Sequence, residues 1–153
     1  MKGLKILGTG RCLPSKVVTN DDMRAFVDTS DEWIRTRTEE ERTASLGVRA
    51  AQLALERSGI SPEDLGACVG CTVSSDSAAP TVASAIQRDL GLPRHIPYFD
   101  LNAGCSGFLY GLHVTRGLLL QSNKPYALLV GAESLSRVLN FQDRGTCVIF
   151  GDG

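Results

Sequence analysis

Short apolar runs of strand length alternate along this chain with stretches long enough for helices, and glycine, proline or small polar residues mark the changes between them. Strands that alternate with helices pair in parallel, because each helix carries the chain back across the sheet. An α/β domain with a largely parallel sheet is therefore expected. The strands are read at residues 5–12, 68–73, 97–101, 127–131 and 146–150. In the stretch 43–58, Leu46, Ala50, Leu53 and Ala54 recur at helical spacing, an amphipathic helix closed by Gly59. Pro80 suits the first turn of a helix that runs to about Leu90 and stops at Gly91. Residues 104–121 form a long, mostly apolar helix with few charges, expected to be buried on most sides. Asn20-Asp21-Asp22 and Ser30-Asp31-Glu32 mark two further helix starts.

At 153 residues the chain can bury a core of its own, without disulfides or a structural metal. Its formal net charge of -1 gives no electrostatic footprint for nucleic acid or an acidic membrane surface, and neither is expected as a partner. Lys5 and the early glycines break the only N-terminal apolar run, so no signal-peptide core forms there. No stretch approaches the roughly 18 apolar residues of a membrane span. The five cysteines are odd in number and mostly lie inside apolar runs, the pattern of reduced thiols in a cytoplasmic protein. Phe150-Gly151-Asp152-Gly153 opens a turn and the chain then stops, so the sequence reads as incomplete.

The segment Asp100-Leu101-Asn102-Ala103-Gly104-Cys105-Ser106-Gly107-Phe108 sets a cysteine between a buried strand and a helix. A thiol there meets the unpaired N–H groups and positive dipole end of the helix, which favour the thiolate that attacks carbonyls. The glycines on either side allow close approach of substrate, and a backbone N–H could bind an oxyanion. A cysteine in an apolar stretch is equally at home as a small core residue, and local pattern does not separate the two. Cys68-Val69-Gly70-Cys71 has the spacing of a redox or zinc motif, but in a strand its thiols face opposite sides and no further ligands accompany it. Core packing is the better reading, and no metal site is expected. Gly8-Thr9-Gly10 begins like a dinucleotide-binding loop, yet Leu13 and Pro14 stand where its third glycine and its helix should be.

His95 and His113 are the two histidines. His113 lies on the helix that follows Cys105, about 12 Å along its axis at about 1.5 Å per residue, too far to serve as its base. His95 falls in the Pro93–Pro97 turn and reads as a surface residue. Trp33 sits in a polar stretch with Arg35 and Arg37, where it could anchor a core or stack against an aromatic ligand.

Taken in order, five blocks resemble β-ketoacyl-acyl-carrier-protein synthase III. They are Gly8-Thr9-Gly10 with Leu13-Pro14; Asp28-Thr29-Ser30-Asp31-Glu32-Trp33-Ile34 with Thr36-Arg37-Thr38; Ala103-Gly104-Cys105-Ser106-Gly107-Phe108; Asp143-Arg144-Gly145-Thr146; and Phe150-Gly151-Asp152-Gly153. The resemblance covers nearly the whole chain. It implies a thiolase-like fold of two similar halves in a five-layer αβαβα architecture, with residues 1–153 as the N-terminal half and the C-terminal half outside this sequence. It further implies that Cys105 is acylated by acyl-CoA and then attacked by the carbanion formed when malonyl-acyl-carrier-protein loses carbon dioxide. No cofactor is implied, since coenzyme A arrives as the thioester substrate. By position, Trp33 and Arg144 would sandwich the adenine of coenzyme A, Thr29 would hydrogen-bond near it, and Arg37 would meet a phosphate. The resemblance also implies a homodimer, with the family's catalytic histidine and asparagine in the other half.

Two departures stand out. After Thr38 this chain continues Glu39-Glu40-Glu41-Arg42, where the family carries Gly-Ile and a basic stretch. Ala79 occupies a position where many relatives carry a phenylalanine that reaches into the neighbour's acyl pocket, so room for acyl groups longer than acetyl is expected. Two rival readings are a condensing enzyme or acyltransferase of secondary metabolism with the same fold, and a non-catalytic half-domain that serves as an interaction module.

Overall fold

A computed structural model describes residues 3–19, 21–22, 41–143 and 145–153. Its helices are α1 (Thr43–Ser58), α2 (Val82–Asp89) and α3 (Gly107–Gln121), and its strands are β1 (Leu65–Cys71), β2 (Tyr98–Leu101) and β3 (Tyr126–Gly131). The strands form one sheet in the order β2-β1-β3, and both pairings are parallel. That is the expected α/β arrangement. β1 is buried along its whole length, as befits a central strand covered on both faces.

Side-chain alternation along the strands divides the core. Cys68, Leu128 and Val130 face α1 and α2, joining Ala51, Val82 and Ile86 in one apolar cluster. Cys71 and Leu129 face α3, where each would touch a Cβ placed at Gly111. The register between β1 and β3 shifts between Leu65 and Cys68, so Leu65 also joins the first cluster.

α1 ends as expected, with Gly59 in the left-handed conformation at φ 67 and its N–H bonded back to the carbonyls of Leu55 and Glu56. The buried positions of α1 are Thr43, Leu46, Gly47 and Ala51. Its Ala50–Ser58 flank is covered instead by the chain around Gly8 and Gly10, which lie against the backbone of Ala50, Ala54 and Ser58. This packing replaces the strand expected over 5–12: the segment runs along a helix and pairs with no strand among the described residues, leaving Ile6 and Leu13 exposed. α2 starts later than expected, because Thr81 caps it by accepting from the Ser84 N–H at 3.1 Å, which puts Pro80 ahead of the helix.

Two further expectations are corrected. Residues 146–150 form turns, held by bonds such as Ile149 N–H to Thr146 carbonyl at 3.1 Å, and the chain end docks by exchanging two hydrogen bonds between Glu133 and Gly153. α3 is not buried on most sides. Only Gly107, Gly111 and Thr115 are buried, while Leu109 is 62% exposed and Phe108 and Tyr110 also face outward. One stripe of small residues packs on the sheet, and no described residue covers the opposite face.

Candidate active site at the end of the parallel strands

The C-terminal ends of the three strands lie side by side, with Cys71 opposite both Leu101 and Gly131. Open α/β sheets bind ligands at this edge, where the loops that leave the strands converge. Residues 102–106 form one of these loops. In it Gly104 adopts φ 54, a left-handed conformation that glycine accepts without steric cost, and Gly104–Ser106 make a single 3-10 turn leading into α3.

Cys105 is the middle residue of that turn and is exposed. α3 begins immediately after it, with no side-chain cap on Ser106 and no acidic residue in its first turn. The positive end of α3 therefore has no side-chain counter-charge of its own next to the thiol. This is the junction between strand and helix expected from the sequence.

The neighbouring thiols differ. Cys68, fully buried among the α1 and α2 side chains, is pushed up to about 12 by burial and then by the Asp100 carboxylate. Cys71 is raised as well, by burial first and then by Asp100 and Glu133, and its Sγ donates to the Gly107 carbonyl at 3.4 Å. The two lie on opposite faces of the sheet, as the strand alternation requires. Cys147 is buried, and Cys12 is partly exposed.

Neither histidine serves Cys105. The His113 ring is exposed and its Nδ1 lies 3.1 Å from the Leu109 carbonyl of its own helix. His95 is exposed and lines an open cleft of about 340 Å³ with Gly66, Pro97 and Lys124, at the opposite end of the sheet. No group of three or more metal-ligating side chains comes together among the described residues.

Ala79 is exposed on the loop that leaves β1. Thr29, Trp33, Arg37 and Arg144 fall outside the described residues. Beside Arg144, Asp143 accepts from the Gly145 N–H at 2.9 Å and the Thr146 hydroxyl at 2.8 Å, and these bonds, the hydroxyl foremost, hold its carboxyl below the usual range.

Three acidic residues that organise this edge were not singled out from sequence. Asp100, at the end of β2, accepts the Val82 and Ala83 N–H groups at 2.8 Å each and so caps α2. Glu133 follows β3 and gathers the loop after β1, accepting from the N–H groups of Val73 and Ser74 and the hydroxyls of Thr72 and Ser74. Asp76 takes the Ala44 N–H of α1 at 2.9 Å and pairs with Arg137. A carboxylate inside or just past an apolar strand run, as at Asp100 and Glu133, was the available signal, since a charge there needs partners; Asp76, five residues beyond β1, gave none.

Comparison with known proteins agrees with the geometry. Residues 99–153 match the family described as 3-Oxoacyl-[acyl-carrier-protein (ACP)] synthase III. Beta-ketoacyl-[acyl-carrier-protein] synthase III of Rickettsia canadensis is 46% identical over 97% of this chain and 50% of its own length. The crystal structure of 3-oxoacyl-[acyl-carrier-protein] synthase III from Aquifex aeolicus superimposes with a TM-score of 0.83 at 40% identity, over 98% of this chain and 51% of that one. A tetronic acid condensing enzyme gives a TM-score of 0.79 at 27% identity, over 95% of this chain and 49% of that one. The fold is thus the thiolase-like α/β fold of these enzymes, and the chain spans about half the length of the curated relatives it matches. By sequence and by fold, the chain is similar to one half of the 3-oxoacyl-[acyl-carrier-protein] synthase III enzymes.

Proposed function

We propose that this chain is the nucleophile-bearing N-terminal half of a β-ketoacyl-acyl-carrier-protein synthase III that starts fatty acid chains. The observation that carries the reading is the exposed Cys105 at the uncapped start of α3, on the edge where three parallel strands end. The Cys105 sulfur attacks the thioester carbonyl of acyl-CoA, the bond to the coenzyme A sulfur breaks, and the coenzyme leaves as its thiol after taking a proton. Malonyl-acyl-carrier-protein then loses carbon dioxide. The electron pair left on its carbon attacks the acyl group, forming the new C–C bond and returning the Cys105 thiolate. The covalent intermediate divides one difficult condensation into two easier steps.

In this reading Trp33 and Arg144 hold the adenine, Thr29 hydrogen-bonds beside it, and Arg37 meets a phosphate. Ala79 leaves space in an acyl pocket shared across a homodimer. The catalytic histidine and asparagine come from a C-terminal half, consistent with the remote positions of His95 and His113, so residues 1–153 alone do not condense. The protein works in the cytoplasm; among the described residues no helix is long and apolar enough to cross a membrane.

The test is condensation by the full-length polypeptide. Release of carbon dioxide from malonyl-acyl-carrier-protein, dependent on acyl-CoA and lost in Cys105→Ala, is expected. Octanoyl-CoA is expected to acylate the protein as well as acetyl-CoA does, and acceptance of acetyl alone would remove the reading of Ala79. The likeness to the tetronic acid condensing enzyme favours one second reading, a condensation with a different acceptor. Turnover that ignores malonyl-acyl-carrier-protein would select it.

A further inference from the structure

We propose that Cys71 is a positioning residue for Cys105: its buried thiol pins the first turn of α3 to the last residue of the central strand. Three observations support this. The Cys71 Sγ donates to the carbonyl of Gly107, two residues beyond Cys105 and the first residue of α3, at 3.4 Å. α3 approaches so closely that a Cβ on Gly111 would stand 2.7 Å from the same Sγ and 2.6 Å from Leu129 Cδ1. The anchor itself is fixed. Its carbonyl accepts the Ala132 N–H at 3.2 Å, the next residue donates its N–H to Leu101 at 3.2 Å, and Cys71 is only 6% exposed.

A donor in this place has to keep its proton. Burial, together with the carboxylates of Asp100 and Glu133, raises the Cys71 thiol above its ordinary range, so it remains S–H. The first turn of a helix is where fraying begins, because its N–H groups have no partner within the helix. An extra bond to the first carbonyl holds that turn, and with it the N–H groups and dipole end beside Cys105.

The inference rests on Cys105 being the reactive thiol, but its test needs no acyl thioester. The second-order rate of alkylation by iodoacetamide, mapped to Cys105 by peptide mass, is followed across pH in the full chain and in Cys71→Ala and Cys71→Ser, with thermal unfolding measured beside it. The alanine variant is expected to lower the Cys105 rate at neutral pH by about threefold, the worth of one modest hydrogen bond. The serine variant, of similar size but with its donor retained, is expected to restore most of that loss. Equal rates in all three proteins, or equal losses in both variants, would overturn the proposal. So would a Cys105 in the parent that reacts no faster than free glutathione. If Cys105 alkylation depends on Cys71 while acyl-CoA leaves no adduct, the positioning role stands and the condensing reading falls.

Discussion

The two faces of the sheet are built to different ends. Beneath α1 and α2 the side chains of Ala51, Cys68, Ile86 and Val130 close into a buried apolar cluster, and Asp100 seals the start of α2. On the other face α3 presses a stripe of small residues onto β1 and β3 and turns Phe108, Leu109 and Tyr110 outward. The first face is a finished core. The second sets a helix close to the strand ends, next to Cys105, and leaves the apolar side chains of Phe108, Leu109 and Tyr110 exposed among the described residues.

Substitutions should separate the two faces. Ile86→Ala empties a site that is 0% exposed and should cost about 3–4 kcal/mol in urea unfolding. Gly111→Ala forces a methyl group against Leu129 and Cys71 and should cost about 2 kcal/mol, lifting α3 from the sheet. Alkali should act on both faces, because the buried thiols of Cys68 beneath α1 and α2 and of Cys71 beneath α3 are both raised. The folded Cys68 thiol titrates near 12, above its ordinary 9.0, so its contribution is whole below about pH 9 and is lost as pH rises toward 12. Stability should fall there by about 1.4 kcal/mol per pH unit, and Cys68→Ala should flatten that limb. The smallest effect belongs to the open face, where Leu109→Ser should change the stability of this chain by less than about 0.5 kcal/mol. A large loss at Leu109 would show that the chain covers α3 after all.

What could be read in the sequence follows the range of the forces involved. The helix over Thr43–Ser58 and its Gly59 stop are local, and so is the change from strand to helix around Cys105. The strands expected at 5–12 and 146–150 had suitable composition, but a strand exists only beside a partner, and neither segment finds one among the described residues. Apolar content suggested that α3 would be enclosed, yet periodicity cannot say whether a neighbour is present to enclose it. The acidic clasps were hidden for a related reason: Glu133 binds Ser74, and Asp100 binds Val82 and Ala83, across long stretches of chain that no local pattern encodes. The coenzyme A contacts proposed at Thr29, Trp33, Arg37 and Arg144 come from the resemblance, and these residues lie outside the described ones.

The central claim is that Cys105 is the acyl acceptor, and intact mass followed by peptide mapping after incubation with acetyl-CoA and octanoyl-CoA tests it most directly. One acyl group, mapped to Cys105 and absent from Cys105→Ala, is the predicted result. No adduct, or an adduct that survives in Cys105→Ala or maps to Cys12 or Cys147, would contradict it.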